Sequence, residues 1–427
     1  MQTLWHCAKK HTRIMINDKN KHSWCANPYI NLSVHPSGSV KTCCMSELNL
    51  ITDNGHTSLN QASILDFWNS KKRQQMIEDM NNGIQIPECS FCWQEDLAGK
   101  ESKRFRDNIT YADKNLSKND LPIVMDLSMG NLCNIKCRIC SPVHSTPWVQ
   151  EEAKIWFPHN PREYTDQLHW VTTKESFDYN NEYLWTDILS LLPNVTKFDF
   201  AGGEPFYIEK HWDIVKTCVS NGWSKNQHIH YNTNGTIYPE KYIDLLDQFK
   251  IVDIQVSTDG TGKQFEYLRH GASWITSEEV IDKLCAIRDS SNTEWIIGVC
   301  ISISAFNIYE FFNIFEHYAK KGVNIYVNVV HDHHSASFLP KALKEIIIQK
   351  INNTESEYKS HQWEKEKLMM INHLNNTNYN ESQWKEFWRE IKIRDSIRKE
   401  SYEETFPEFY QIMKQYIIKD EYVGRSN

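Results

Sequence analysis

The chain has 427 residues, a formal net charge of −8, 12 cysteines and 12% aromatic residues. This length and aromatic content exclude a disordered chain and allow two or three domains, and the negative charge argues against a general nucleic-acid binder. No run of about 18 apolar residues occurs, and the first residues lack the apolar core of a signal peptide, so we expect a cytoplasmic protein without membrane contacts.

The first 120 residues contain a predicted hairpin and a predicted helix. Residues 29–34 alternate between apolar and polar types as a strand does, and residues 35–38 form a turn from which a second strand returns. Such a hairpin brings Cys25 close to Cys43. The periodicity of residues 64–81 then predicts an amphipathic helix that leads back towards this pair.

Four cysteines of this region form two close pairs. Cys25 and Cys43 are joined by the hairpin, while Cys89 and Cys92 form a C-x2-C knuckle after the helix. Twelve cysteines in a cytoplasmic chain indicate metal or redox chemistry rather than disulfides. Four thiolates complete a metal site, which could hold an iron–sulfur cluster or zinc. Cys44 competes with Cys43 as the fourth ligand.

A second cysteine motif follows an apolar strand at residues 123–127. Cys133, Cys137 and Cys140 have the spacing C-x3-C-x2-C, which can ligate three irons of a cubane cluster and leaves the fourth iron open. Clusters that only carry electrons usually take four thiolates. The alternatives are a zinc site, for which His144 is the nearest additional ligand, or three unrelated thiols.

From residue 121 onwards, short apolar runs alternate with helical patterns, which predicts an α/β fold with a parallel sheet of βα units. Six strands are too few for a closed eight-stranded barrel. The predicted strands are 123–127, 197–201, 228–232, 252–257, 295–303 and 324–330, and the predicted helices between them include 212–220, 242–248, 278–288 and 308–320.

Polar motifs follow the second, third and fourth of these strands. Gly202-Gly203-Glu204-Pro205 combines glycines, which let the backbone approach a ligand, with a carboxylate that can accept hydrogen bonds from an ammonium group. Asn232-Thr233-Asn234-Gly235 is a turn signal. Ser257-Thr258-Asp259-Gly260 is followed by Arg269, whose fork suits a carboxylate. Because the carboxyl ends of parallel strands share one edge of the sheet, we expect these motifs to lie near the cysteine triad.

The order of these motifs resembles the radical S-adenosylmethionine (radical SAM) superfamily, and the early cysteine set resembles the twitch domain, a shortened SPASM domain. A twitch domain before the barrel is typical of the N-terminal-twitch radical SAM proteins. The resemblance covers roughly residues 20–335 and implies a partial (β/α)6 TIM-like barrel with a small N-terminal twitch domain of a hairpin plus a helix. It implies domain ranges of 1–120 for the cluster domain, 121–338 for the barrel and 339–427 for a helical C-terminal extension.

The resemblance also implies a set of cofactors and ligands. It implies a SAM-binding [4Fe–4S] cluster on Cys133, Cys137 and Cys140, and an auxiliary [4Fe–4S] cluster on Cys25, Cys43, Cys89 and Cys92. It implies SAM contacts from Ile139, Gly202, Gly203, Glu204, Asn232, Ser257, Asp259 and Arg269. Ile139 departs from the usual aromatic residue at its position, and Asp259 could equally be a structural turn residue.

A radical SAM enzyme donates one electron from its cluster to the sulfonium of SAM, which yields methionine and a 5′-deoxyadenosyl radical that takes hydrogen from a substrate. The implied partners are a flavodoxin- or ferredoxin-like electron donor and a peptide or protein substrate. We keep two alternatives open. One is a dehydrogenase or epimerase acting on a sugar, nucleotide or other small metabolite, and the other is a non-catalytic, zinc-stabilised binding protein.

Other parts of the chain predict less chemistry. The insert at 142–181 has no clear periodicity and is a candidate substrate lid. Residues 331–334, of sequence His-Asp-His-His, are interpreted as a solvated loop, because adjacent histidines rarely share one metal. Amphipathic helices are predicted at 341–351, 363–374, 383–398 and 409–418. Cys7, Cys218, Cys285 and Cys300 are interpreted as core residues.

Overall fold

The computed structural model describes residues 19–97, 101–156, 159–160, 162, 182–331, 333–355, 361–375 and 379–417. Cys7 and most of the predicted lid after residue 156 lie outside these ranges. Within the described part of the chain, no helix is both long and apolar enough to cross a lipid bilayer.

Among the described residues, eight strands form one sheet, and two very short strands form a separate ladder. The strands are β1 (Asn31–Val34), β2 (Val40–Lys41), β3 (Val124–Ser128), β4 (Lys136–Cys137), β5 (Lys197–Ala201), β6 (His228–Thr233), β7 (Ile251–Ser257), β8 (Arg269–His270), β9 (Glu294–Ile303) and β10 (Asn324–Val329). The large sheet has the order β10-β9-β7-β6-β5-β3-β1-β2, and β4 pairs with β8. Within the large sheet, all neighbouring strands are parallel except β1 with β2. The α/β class and the six predicted strands are therefore confirmed.

Helices connect the strands and cover the sheet. They are α1 (Asn27–Ile30), α2 (Ile64–Trp68), α3 (Lys71–Asn81), α4 (Ser90–Leu97), α5 (Lys103–Thr110), α6 (Thr146–Trp156), α7 (Glu182–Leu191), α8 (His211–Ser220), α9 (Ile243–Leu246), α10 (Gly262–Leu268), α11 (Trp274–Ser290), α12 (Phe311–Lys320), α13 (Lys341–Asn353), α14 (His361–Asn375), α15 (Glu381–Arg398), α16 (Tyr402–Thr405) and α17 (Pro407–Met413).

The sheet has one apolar face and one polar face, because successive side chains of a strand point to opposite sides. Phe198, Ile229 and Val252 are buried on the helix-covered face. On the other face, Asp126, Asp199, His230 and Asp253 stand directly opposite one another on β3, β5, β6 and β7. Polar side chains therefore line the second face of the sheet.

The N-terminal region differs from its prediction in three ways. Tyr29 and Ile30 belong to α1 rather than to the first strand of the hairpin. The helix expected over 64–81 is broken into α2 and α3, because the Ser70 hydroxyl accepts a hydrogen bond from Arg73 N and starts a new helix. β1 also pairs in parallel with β3, so the main sheet crosses the boundary predicted at residue 120.

The C-terminal helices share the core of the barrel. Trp363 of α14 packs edge-on against Phe312 of α12 at 4.3 Å between ring centroids, and Phe387 of α15 packs against Phe306 at 4.7 Å. These aromatic side chains are buried in the same apolar cluster as the inner strands. The predicted helical extension is thus an integral layer of the fold.

Candidate functional site

The triad Cys133, Cys137 and Cys140 lies in the loop after β3, at the carboxyl edge of the sheet. Cys137 is in β4, where it stands opposite Arg269 of β8. Burial raises the pKa of the Cys137 thiol to about 12 and that of the Cys140 thiol to about 11. Thiolates in such a place need a nearby positive charge, which a metal cluster supplies.

The glycines of the Gly-Gly-Glu-Pro turn touch the triad loop. Gly203 has a φ of 54°, and a Cβ placed on it would lie 2.2 Å from the carbonyl oxygen of Leu132, next to Cys133. Glu204 N donates to the same carbonyl at 2.8 Å. A Cβ on Gly202 would lie 2.7 Å from Ser128 Cβ. The turn after β5 can therefore approach its neighbours this closely only because Gly202 and Gly203 have no side chains.

Glu204 is completely buried and ties the turn after β5 to the turn after β6. Its carboxylate accepts hydrogen bonds from Thr233 Oγ1 at 2.7 Å, Asn234 N at 2.6 Å and Phe206 N at 3.0 Å. Burial raises the pKa of Glu204, although the hydrogen bonds from Asn234 and Thr233 oppose this. Glu204 thus holds two strand-end turns together beneath the cysteine loop.

The turn after β6 contacts the triad directly. Asn234 Nδ2 lies 3.7 Å from Cys133 Sγ and donates to Asn134 Oδ1 at 2.9 Å, while Asn134 Nδ2 reaches Thr236 Oγ1 at 2.8 Å. Asn232, by contrast, is exposed, and its amide contacts His230 Nε2 at 3.1 Å. The sequence selected Asn232 from this turn, whereas the structure places Asn234 against the cysteine.

Arg269 links the turn after β7, which contains Asp259, to the triad. Its Nη2 pairs with Asp259 Oδ2 at 3.0 Å, and its Nη1 donates to Cys137 Sγ at 3.6 Å. Burial lowers the pKa of Arg269, but Asp259 and the nearby thiols raise it more, so the guanidinium stays charged. Its Nε is buried and has no hydrogen-bond partner among the described residues. An orphaned charged donor beside the cysteines fits a ligand with a carboxylate, such as SAM.

Asp259 has a structural task as well. Its Oδ1 accepts a hydrogen bond from Ser302 N at 2.9 Å, and its carbonyl accepts one from Asn307 Nδ2 at 2.8 Å. Ser257, two residues earlier, ends β7 opposite Cys300 of β9. Ile139 is half-buried and packs against the main apolar core. The remaining sequence-predicted SAM residues thus lie on the strands or loops around the triad.

Arg138, between two triad cysteines, is a residue that the sequence analysis missed. Its side chain is fully buried, and its Nη2 pairs with Asp395 at 2.5 Å and with Glu400 at 2.6 Å. Its guanidinium also stacks on the ring of Tyr267 at 3.6 Å. His270 Nδ1 contacts the same Glu400 at 2.6 Å. The end of α15 and the segment after it therefore hold the triad loop from the C-terminal side.

The N-terminal cysteines surround a separate small cavity. Its lining includes Cys25, Cys43, Cys89 and Cys92 together with the apolar side chains of Met76, Met80 and Trp93. Burial raises the pKa of Cys89 and of Cys92 to about 11. Four thiols facing one cavity fit the donor set of a [4Fe–4S] cluster or of zinc.

Cys44 does not line this cavity. A side-chain hydrogen bond from Cys44 lowers the pKa of the Cys43 thiol, and Cys44 itself lies beside Asp126 of the polar sheet face. The geometry therefore favours Cys43 as the ligand of the pair.

The loop after β10 is less exposed than predicted. His334 is buried, and its Nε2 lies 3.0 Å from Glu390 Oε2 of α15. Burial raises the pKa of Glu390, but His334 and Arg394 together lower it to about 2. The prediction of a solvated loop is thus wrong for His334. Cys218 is buried in the apolar core and Cys285 packs against it, as interpreted, whereas Cys300 is half-buried and lies near the charge of Arg269.

The N-terminal region matches a known family. Residues 25–93 match SPASM, described as an iron–sulfur cluster-binding domain. The match starts at Cys25 and ends just after Cys92, so it contains all four cysteines of the N-terminal cavity. This part of the chain is therefore a SPASM-type domain, and the predicted resemblance of these cysteines to an iron–sulfur cluster-binding domain is confirmed.

Solved structures show a looser likeness. Native anSMEcpe with bound AdoMet and Cp18Cys peptide is 13% identical at a TM-score of 0.34, over 54% of this chain and 58% of that chain. Native anSMEcpe with bound AdoMet is 14% identical at a TM-score of 0.38, over 54% and 59%. SuiB of Streptococcus suis bound to S-adenosylmethionine is 14% identical at a TM-score of 0.35, over 65% and 61%.

The alignments thus span about three fifths of the length of these solved structures. A likeness with such TM-scores carries no argument about activity. A search of curated proteins found no match.

Proposed function

We propose that the chain is a radical SAM enzyme whose Cys133, Cys137 and Cys140 hold a [4Fe–4S] cluster with one iron open to SAM. The observation that carries this proposal is the convergence of the turns after β5 and β6 and of Arg269 on one three-cysteine loop. A structural zinc site would need a fourth protein ligand beside the three cysteines. When bound, the cluster and SAM supply a 5′-deoxyadenosyl radical for hydrogen abstraction.

The residues around the loop would bind and orient SAM. Arg269, whose Nε has no hydrogen-bond partner among the described residues, is suited to the carboxylate. Gly202, Gly203 and Glu204 would receive the amino group, since the glycines bring the backbone close. Towards the adenosine, we propose contacts from Ile139, Asn232 and Ser257. For Asp259 we propose an indirect role, because its carboxylate already holds Arg269 and Ser302.

A second [4Fe–4S] cluster would occupy the SPASM domain, on Cys25, Cys43, Cys89 and Cys92. The cavity that these four thiols share supports this ligand set. Such a cluster could accept an electron from the product radical or anchor the substrate. The first cluster needs an external reductant, for which we propose a flavodoxin- or ferredoxin-like protein of the cytoplasm.

We propose a peptide or protein side chain as the substrate. A cavity of about 250 Å³ adjoins Cys140 and is lined by charged side chains of both signs, including Glu152, Glu386 and Arg389. Cavities that enclose whole small molecules usually measure about 300–1,000 Å³. The smaller volume favours one polar side chain of a larger molecule over a complete sugar, nucleotide or other small metabolite, which is the alternative substrate class.

The test combines metal analysis with product analysis after anaerobic reconstitution. We expect about eight irons per chain, about four in a Cys25→Ala/Cys92→Ala variant, and 5′-deoxyadenosine on addition of SAM and reductant. Cys285→Ala is the matched control, because this half-buried thiol lies on α11 away from both sets, and it should keep all the iron. Zinc in place of iron, or a fully loaded protein that does not cleave SAM, would refute the radical SAM proposal.

A further inference from the structure

We propose that His333, His334 and Glu390 bind one divalent transition-metal ion, Zn²⁺ or Fe²⁺, at the edge of the cavity beside Cys140. One ligand atom from each of the three residues lies within 4.8 Å of the other two. The site joins the loop after β10 to the middle of α15, and it is separate from both cysteine sets.

The distances between these side chains suit a small ion. Glu390 Oε2 lies 3.0 Å from His334 Nε2 and 4.0 Å from His333 Nε2. Two ligands bonded to Zn²⁺ at about 2.1 Å in a tetrahedron are about 3.4 Å apart. The observed separations lie on either side of this value, and the side chain of His333 is 61% exposed.

The second oxygen of Glu390 lies 3.1 Å from His334 Nε2 and has a further partner on α15. Glu390 Oε1 accepts a hydrogen bond from Arg394 Nε at 2.7 Å. Metal-ligating carboxylates are commonly oriented in this way by an outer partner. Arg394 is in turn held by Glu152 at 2.5 Å and by Glu151 at 3.0 Å. The carboxylate is therefore held by a buried ion-pair network, and its Oε2 lies within 4.0 Å of both histidines.

Two imidazoles and one carboxylate favour particular metals. This set is typical of catalytic zinc sites and of non-haem Fe²⁺ sites, both of which keep open coordination positions. His333, His334 and Glu390 all line the 250 Å³ cavity that also contacts Cys140 and Ser141. Open positions on the ion would face that cavity. On the basis of the proposed function, the ion would hold an oxygen or nitrogen atom of the substrate close to the SAM-binding cluster.

The alternative is a network of ion pairs between His334, Glu390 and Arg394 without a metal. A measurement of metal binding distinguishes this alternative from the proposed metal site. The full chain is reconstituted anaerobically so that clusters occupy the cysteines, incubated with Zn²⁺ or Fe²⁺ in separate arms, and desalted. We expect about one extra zinc per chain in the first arm, with iron and sulfide unchanged. In the second arm we expect about one extra iron, with the Mössbauer signature of a mononuclear high-spin Fe²⁺ site.

Variants assign the site. His333→Ala and Glu390→Gln should each weaken metal binding at least tenfold, whereas His22→Ala, which removes an exposed histidine of the N-terminal region, should not. Glu390→Gln also disturbs Arg394, so the exposed His333 is the cleaner probe. An absence of extra metal, or equal binding by His333→Ala and the unmodified chain, would overturn the proposal. Because no SAM is used, this outcome is independent of whether the chain cleaves SAM.

Discussion

Arg138 provides the sharpest test of how the triad loop is held. Arg138→Met removes a buried cation and leaves Asp395 and Glu400 without it. Breaking a buried ion pair by removing one partner usually costs about 3–5 kcal/mol. The two carboxylates keep 15% and 20% of their side-chain exposure, so water would partly compensate them. We therefore expect a loss of about 3 kcal/mol in the free energy of unfolding.

The same variant should also change the iron content. Since Arg138 lies between Cys137 and Cys140, the loop should bind its cluster less well, while the SPASM domain keeps about four irons. The free energy is measured by chemical denaturation under anaerobic conditions, with iron counted in the same preparation. Arg138→Lys should recover only part of the loss, because lysine keeps the charge but not the fork or the stacking on Tyr267.

Arg288→Met is the matched control, because Arg288 pairs with Asp289 at the surface, where such pairs contribute up to about 1 kcal/mol. A triple variant with Arg138→Met, Asp395→Asn and Glu400→Gln should be more stable than Arg138→Met alone, since it leaves no carboxylate without the cation of Arg138. An Arg138→Met protein as stable as the control, with all its iron, would refute the proposed role of the C-terminal helices.

Three further predictions concern single positions. Gly203→Ala should reduce triad iron and 5′-deoxyadenosine formation at least tenfold. The control Gly222→Ala has a similar positive φ but nothing within 4 Å of the added Cβ, so it should cost only about 1 kcal/mol of stability; equal effects of the two variants would contradict the close approach of Gly203 to Leu132. Cys43→Ala should remove about four irons and Cys44→Ala none, and the reverse result would reassign the ligand. Burial lowers the pKa of His211 to about 3, so below its ordinary pKa of 6.5 this histidine binds a proton in the unfolded chain but not in the folded one. The free energy of unfolding should therefore decrease by about 2 kcal/mol as the pH is lowered from 7 to 5. His211→Phe should remove this pH dependence, and His22→Ala should retain it.

The sheet was predictable because its strands are short apolar runs, several of which, such as β5, β6 and β7, alternate between buried and more exposed residues. Between residues 121 and 330, every large-sheet strand begins and ends within one residue of its predicted bounds. Alternation records which face is buried, and the motifs at the strand ends follow from that register. The pairing of β1 with β3 was not predictable in this way, because a local pattern does not say which distant strand lies alongside.

The candidate site was predictable where its chemistry is local in sequence. The cysteine spacings and the Gly-Gly-Glu-Pro turn are local, so they were found. Arg138 and Asp395 were missed because each is an ordinary charged residue until the fold brings them together. The break between α2 and α3 could have been predicted from Asn69-Ser70, a helix-capping pair. The start of α6 could likewise have been predicted from Thr146-Pro147.

The contact between Arg138 and Asp395 spans 257 positions of the chain, which has a consequence for biosynthesis. The cysteine loop leaves the ribosome well before α15 and Glu400 exist, so it is initially without the partners that order it. Its cluster should therefore be inserted stably only after translation has nearly finished. The SPASM domain has its four cysteines within residues 25–92, and it needs only β3 beyond them to complete its sheet contact. The two iron sites of one polypeptide would then mature in sequence, the N-terminal one first.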